Sequence, residues 1–354
     1  MVFKFDDIAY NITEKRAPKP DDRLKYIGLE HLDSGSLVVN RYGLDVDIKG
    51  DKLVMHKGDI LLGKRNAYLR RAAIAPHDGL FSAHGMILRP KEEVISKDYF
   101  PFFIASDRFF DEVIRISVGG LSPTVNWKDL KELKFNLPSL EEQKQLAEKL
   151  WAAYEVKQSY LKMIKATQEM VQSQFIEMFG TMDSPKWETK TLTEVSQNLD
   201  SKRVPIKSGD RKRGEYPYYG ASGIVDYVDD YIFDERILLV SEDGANLKDR
   251  VTPIAFSSEG KVWVNNHAHV LRFNDARIQT FVEYYLNYNK IERYLTGTAQ
   301  PKLNQDKLNI IPIPFPSEKQ LRRFESIAHQ VDKSEYVTQG AIVSIDKVNK
   351  SYIN

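Results

Sequence analysis

Large residues recur at alternating gaps of four and three from Leu140 to Phe179, a stretch that contains no Pro and no Gly. The series Leu150, Tyr154, Lys157, Leu161, Ile164, Gln168, Val171, Phe175, Met178 reads as a heptad seam with two polar interruptions. Pro138 and Ser139 precede it, Glu141 and Glu142 load its first turn with negative charge, and Gly180 stops it. The pattern predicts a single helical rod of roughly 60 Å. A second four-three series, Ile327, Val331, Ser334, Thr338, Ala341, Ile345, Val348, Tyr352, predicts a helix over Glu318 to Ile353. Its seam is poorer, and Gly340 lies inside it at a cost of about 1 kcal/mol relative to Ala. Both stripes are longer than one domain's core needs from a typical helix of roughly 11–12 residues. The two rods are therefore expected to pack on one another as an antiparallel coiled coil.

Outside the rods the pattern is mixed. Short apolar runs at Ile60-Leu61-Leu62, Met86-Ile87-Leu88, Ile237-Leu238-Leu239-Val240 and Val270-Leu271 predict strands bounded by Gly, Pro and Asp turns. Tyr99 to Phe110 and Ile278 to Leu295 predict aromatic-rich helices, and Lys128 to Leu133 and Asp306 to Asn309 short turns or strand entries. No strand–helix alternation marks a doubly wound sheet, so the fold class is α+β.

The chain also repeats itself. Lys15-Arg16-Ala17-Pro18 returns as Lys202-Arg203-Val204-Pro205, and the segment around His84 returns around His267. Gly119, Pro123, Asn126, Leu130 and Pro138 return as Gly297, Pro301, Asn304, Leu308 and Pro316, and Gln143 returns as Gln320. The order is kept while the offset drifts from 187 (Arg16 to Arg203) to 177 (Gln143 to Gln320). Four collinear matches make the chain two copies of one unit, each a globular α/β domain followed by a long helix. The expected boundaries are a first domain over 1–139, a helix over 140–180, a second domain over 181–316 and a helix over 317–354.

Composition narrows the chemistry. With 42% hydrophobic residues the chain can build real cores, and with no Cys it has no disulfide, thiolate metal site or thiol nucleophile. No apolar run approaches the ~18 residues that span a bilayer, and MVFKFDDIAY reads as no signal peptide, so a cytoplasmic protein is expected. There is no GxxxxGK[ST] loop, no nucleophile elbow and no Asn-Pro-Pro-aromatic motif for methyl transfer. Asp183, Glu188 and Lys190 have the residue types of a nuclease but crowd into a linker, and chance is the better account. His267 and His269 could be a metal pair, but Met86 stands at the repeat position of His269, which favours a structural histidine. Neither catalysis nor a cofactor is expected.

The net charge of +1 conceals local basic clusters. Lys64 to Arg71 carries four positive charges and no negative one; Lys202 to Arg213 carries six against Asp210 and leads into Tyr216-Pro217-Tyr218-Tyr219. A cluster inside each copy suits phosphate neutralisation beside polar and aromatic groups that can face bases.

The stretches 214–223, 238–245, 264–271 and 295–304, with the Pro-Ser-Leu-Glu-Glu-Gln entry to the first rod, resemble the specificity subunit of type I restriction-modification enzymes. The likeness is strongest over Trp187 to Pro316 and weaker in the first half. It implies a non-catalytic subunit that reads a bipartite double-stranded DNA sequence, one part per recognition domain. It implies further that the helix pair sets an unread spacer and docks methyltransferase subunits, two in number, and that the complex recruits restriction/translocase subunits. Side chains present in both copies cannot distinguish two different half-sites. They are expected to be scaffold or, for Arg16 and Arg203, phosphate contacts. Candidate DNA-binding residues lie where the copies diverge: Arg65, Asn66 and Arg70 in the first domain, and Tyr218, Ser222, Asn246 and Lys248 in the second. Gln300 and Lys302 join them because neither is repeated. The same module could serve a restriction-methylation enzyme of another type, and a coiled-coil adaptor that reads no DNA would also suit a near-neutral charge.

Overall fold

The computed structural model describes residues 1–45, 48–297 and 300–353, so that Thr298 and Ala299 of the 295–304 motif lie outside the described residues. The chain divides into two units, Met1–Leu161 with Gln339–Asn354, and Lys162–Thr338. Each contains one α/β fold and a segment of both long helices.

In the first unit an antiparallel sheet runs in the order Ala9–Ile12, Met86–Pro90, Ile60–Leu62, Ala72–Ile74. In the second the order is Gln197–Asn198, Ala268–Arg272, Ile237–Ser241, Ala255–Ser258, antiparallel throughout. The repeat seen in sequence is thus a repeat of topology. The central strands Ile60–Leu62 and Ile237–Ser241 are buried at every residue because both faces are covered. Ile60, Leu62 and Leu88 enter one core with the aromatic helices, while Leu61, Ala73 and Ile87 enter another under a second sheet. Leu238, Val240 and Leu271 part from Leu239 and Val270 in the same way.

That second sheet is where the units diverge. Three antiparallel strands, Lys15–Arg16, Lys52–Met55 and Gly79–Phe81, make it in the first unit. The second unit uses four, in the order Gly223–Val228, Arg213–Gly220, Lys261–Val264, Phe233–Asp234, with Arg213–Gly220 parallel to Lys261–Val264. A further antiparallel pair closes each unit, Val2–Lys4 on Lys134–Asn136 and Thr189–Thr191 on Pro312–Pro314.

The aromatic helix expected over Tyr99 to Phe110 is two helices, Phe100–Ala105 and Asp107–Ile116. Ser106 separates them: its hydroxyl accepts from the Phe109 N–H (3.1 Å) and donates to the Phe103 carbonyl (2.7 Å), so it caps a new helix instead of continuing the old one. In the second unit Ala276–Tyr288 ends at Asn289, whose amide is drawn to the Met182 N–H (2.7 Å), and the short helix Glu292–Tyr294 follows.

The central helix spans Leu140–Phe179 and the second long helix Glu318–Ile353. Ser139 and Glu142 cap the first reciprocally, each accepting from the other's backbone N–H at 3.3 and 2.8 Å. The buried Gln143 amide bonds Ser96, Val94 and Pro138 backbone groups, which locks the helix to its domain. Within the first unit the helices run antiparallel, Lys157 pairing with Asp346 (2.6 Å) and Lys149 lying over the Tyr352 ring. Within the second, Phe175 and Phe179 pack on Phe324 with ring centroids 5.0 and 5.6 Å apart. Leu150, Tyr154, Val171 and Phe175 of the expected seam are buried, whereas Leu161 is exposed. In the second helix Leu321, Phe324, Ala328, Val331 and Thr338 are buried and Ser334, Val348 and Tyr352 are exposed, so the expected register holds only in part. The bulky Leu321 and Phe324, rather than the sparse four-three series, decide which face turns inward.

Candidate functional site

In each unit two loops are stitched together at the edge of the main sheet, and the stitches are the same. Asn66 N–H donates to the Pro123 carbonyl (2.8 Å) and Val125 N–H to the Lys64 carbonyl (3.0 Å); Gly244 N–H donates to Pro301 (3.1 Å) and Leu303 N–H to Glu242 (2.7 Å). Val118 and Thr124 exchange backbone bonds in the first unit, and Thr296 and Lys302 do so in the second. Gly119 (φ 112°) and Gly297 (φ 78°) turn both loops in the left-handed region, where a side chain would strain the backbone and, at Gly297, a Cβ would meet the Gln300 carbonyl at 2.4 Å. Repeated backbone bonds and the repeated glycines therefore hold the loops, and differing side chains are carried on them.

The expected DNA-binding residues fall into two groups. Arg65, Ser222, Lys248 and Gln300 are exposed. Ser222 tops the hairpin Arg213–Gly220/Gly223–Val228, whose Ile224, Val225 and Tyr227 are also exposed. Lys302 is half-exposed and reaches Glu242 at 3.2 Å. Asn66 sits in the left-handed region (φ 54°) with its side-chain oxygen buried.

The other five side chains, expected as DNA contacts, are bonded within the fold. Arg16 forms a two-pronged pair with Asp22 at 2.6 and 2.7 Å, which pulls the Asp22 carboxyl down to about 2. Arg203 is buried against Glu242 (2.6 Å), Asp200 (3.4 Å) and the Ala268 carbonyl (2.8 Å). Arg70 grips Asp107 (2.7 Å) and Asp111 (2.6 Å). Tyr218 is buried, its hydroxyl accepting from the Ile206 N–H at 2.9 Å. Asn246 closes its own loop by two bonds to Thr252, each 3.0 Å.

His267 and His269 face different partners and form no pair. His267 is exposed and meets Asp243 at 2.8 Å. His269 is buried, with Nδ1 at 2.5 Å from Asp200 and Nε2 at 2.7 Å from the Leu303 carbonyl. Burial pushes the Asp200 and Glu242 carboxyls up, but the cations around them outweigh it and hold both below the usual range. Among the described residues no group of three or more His, Asp or Glu could hold a metal ion.

Sequence reasoning missed two exposed apolar positions near these loops, Leu121 at the tip of the 117–124 loop and Tyr68 beside Arg65. For Leu121 the one signal was an apolar residue between Gly120 and Ser122 in a loop, and for Tyr68 its place in the basic run from Lys64 to Arg71.

The family model for the type I restriction modification DNA specificity domain matches this chain twice, over residues 1–166 and 185–343. The chain belongs to that family. The family's description is that of a DNA specificity domain of type I restriction modification. It is 37% identical over 136 residues to a protein named as a type I restriction enzyme specificity subunit of Haemophilus influenzae, a match covering 38% of this chain and 34% of that one. The match thus spans about a third of the relative's length. To the MjaX specificity subunit of Methanocaldococcus jannaschii it is 22% identical over 360 residues, covering 92% of this chain and 84% of that one. A solved type I restriction-modification S subunit from M. genitalium shares the fold, with a TM-score of 0.60 at 14% identity, over 100% of this chain and 94% of that one. A structure described as showing complex assembly and conformational transition of a type I system gives 0.52 at 16% identity, over 100% and 96% of the two chains. For a member of the specificity family, the stitched loops and the two long helices are the parts to which a role must be given.

Proposed function

We propose that this chain reads a bipartite double-stranded DNA site for a type I restriction-modification enzyme and performs no chemistry itself. Each unit reads one part. The first uses the 64–70 and 117–124 loops, with Arg65 the leading candidate for a base contact. The second uses the Ser222 hairpin tip, Lys248, Gln300 and Lys302. The observation that carries this reading is the division of labour within the repeat: identical backbone stitches in both units, with different side chains displayed on them. Two readers of different half-sites need that combination of a shared frame and unshared edges.

The helix pair fixes the unread gap and docks two methyltransferase subunits, through which restriction/translocase subunits join. Exposed apolar side chains support docking: Val156, Leu161 and Val343 in the first unit, and Met170, Tyr336 and Val337 in the second. Flipping a target base out of the duplex belongs to the methyltransferase partner. Among the described residues no helix is long and apolar enough to cross a membrane, and DNA as the ligand places the work in the cytoplasm.

The test is retention of genomic restriction fragments by the chain co-purified with its methyltransferase subunit. A minority of fragments should be held, with affinity falling steeply as salt rises. Retention of every fragment alike, or of none, contradicts the reading.

A further inference from the structure

The two units treat one crevice in opposite ways. In the second unit it is filled by charge: Asp200 and Glu242 lie among Arg203, His269 and Lys302, the closest contacts being Asp200–His269 (2.5 Å) and Glu242–Arg203 (2.6 Å). Strand pairing fixes the counterparts of these residues in the first unit. Asn11 pairs with Leu88 as Asn198 pairs with Leu271, so Thr13, two residues on, stands where Asp200 stands. Leu62 pairs with Met86 as Val240 pairs with His269, so Met86 replaces the histidine and Lys64 replaces Glu242. Both carboxylates are gone.

What remains is an open crevice of about 240 Å³, lined among others by Asn11, Thr13, Lys15, Lys64, Gly85 and Asn126. Neither lysine side chain has a hydrogen-bond or ion-pair partner among the described residues. Arg16, next in sequence to Lys15, is occupied by Asp22. Burial and the neighbouring Lys15 both press the Lys64 ammonium below its ordinary range, the expected result for a cation partly removed from water without a counter-charge. In the sister unit the protein supplies its own anion at this place.

We propose that the first unit's crevice is an anion site that receives one phosphodiester group of the DNA backbone between Lys15 and Lys64. The proposal rests on the DNA-reading function and adds an asymmetry to it. One unit holds the backbone through a built pocket, and the other has closed the equivalent pocket with Asp200 and Glu242. A phosphate carries no sequence information, so the site contributes affinity and register but no specificity.

The experiment uses the chain assembled with its methyltransferase subunit, the retained duplexes, and two variants, the double Lys15→Gln/Lys64→Gln and the single Lys64→Glu. The single variant installs the second unit's carboxylate, so it provides a folded comparison should the double variant fail to fold. Either variant should weaken binding to target and non-target duplexes alike, by about tenfold at about 0.1 M salt, and should lower the slope of log K against log[salt] by about 1. A second arm omits DNA: inorganic phosphate should raise the melting temperature of the native chain and leave that of the variants unmoved. A phosphate response with an unchanged salt slope would overturn the DNA assignment in favour of a small phosphate-bearing ligand. No response in either arm overturns the site altogether. A native complex that binds no DNA contradicts the reading function instead, and the phosphate arm still judges the crevice.

Discussion

Arg70 and Arg250 occupy the same place in the two units. Each ends a short helix in the left-handed region, at φ 47° and 50°, and each turns its guanidinium onto the helical segment that follows the main sheet. Arg70 reaches the carboxylates of Asp107 and Asp111, whereas Arg250 reaches the carbonyls of Leu286 (3.0 Å) and Asn289 (3.1 Å). The latch is repeated and its chemistry is not. A basic residue in a basic loop is therefore a structural tie in both units.

Loss of the Arg250 latch should be costly. The left-handed backbone at a non-glycine residue costs roughly 1–3 kcal/mol and persists only because the surrounding bonds hold it. Arg250→Ala removes the bonds, keeps the strain and strands buried carbonyls, so a loss of about 2–3 kcal/mol is expected. Arg250→Gly should recover about 1 kcal/mol of that, because glycine accepts the same φ. Chemical denaturation of the two variants checks this. Equal stability of the two would show that the backbone is unstrained.

Gly340 offers the opposite case. It sits inside the helix Glu318–Ile353, and a Cβ built on it meets nothing within 4 Å. Gly340→Ala should stabilise the chain by up to about 1 kcal/mol, read as a raised melting temperature with unchanged DNA binding.

Acid should expose the Arg16–Asp22 pair. The guanidinium hydrogen bond is the main cause that lowers the Asp22 carboxyl from 3.8 to about 2. A carboxyl whose folded value lies below its unfolded value contributes stability in full above the unfolded value, and the contribution fades as pH falls through the folded one. Denaturation midpoints of the native chain and of Asp22→Asn should accordingly differ most above about pH 4 and converge toward about pH 2. A constant difference across that window would assign the effect to packing.

Arg65 and Arg16 separate reader from scaffold. Arg65→Ala should cost about 1–3 kcal/mol of binding to a retained fragment and relax the preference at one part of the site. Arg16→Ala should lower thermal stability while the preference stays as it was. The reverse pattern in fragment-binding assays would reassign both residues.

Much of this is legible in the sequence. The bounds of the two long helices, the buried strands at 60–62 and 237–240, and the repeat all follow from local patterning and punctuation. The less legible parts depend on distant partners. Nothing near Arg70 in sequence announces Asp107 and Asp111, and nothing near Arg203 announces Glu242. Tyr218 lies in an aromatic run that suits a DNA surface, yet the strand's alternation turns it inward while Ser222 remains at the exposed tip. The break at Ser106 was hidden because a serine in a helical pattern can cap as readily as continue. At the candidate site, the repeated Gly119 and Gly297 were legible as turn residues, but which other side chains are bonded within the fold required the packing.

Selection of bound duplexes from a random pool, with the chain co-purified with the methyltransferase subunit proposed as its partner and methyl donor supplied, tests the central claim most directly. The two-unit account predicts one consensus of two short blocks separated by a fixed unread gap, with Arg65→Ala altering a single block. A single continuous block, or no enrichment over background, would contradict it.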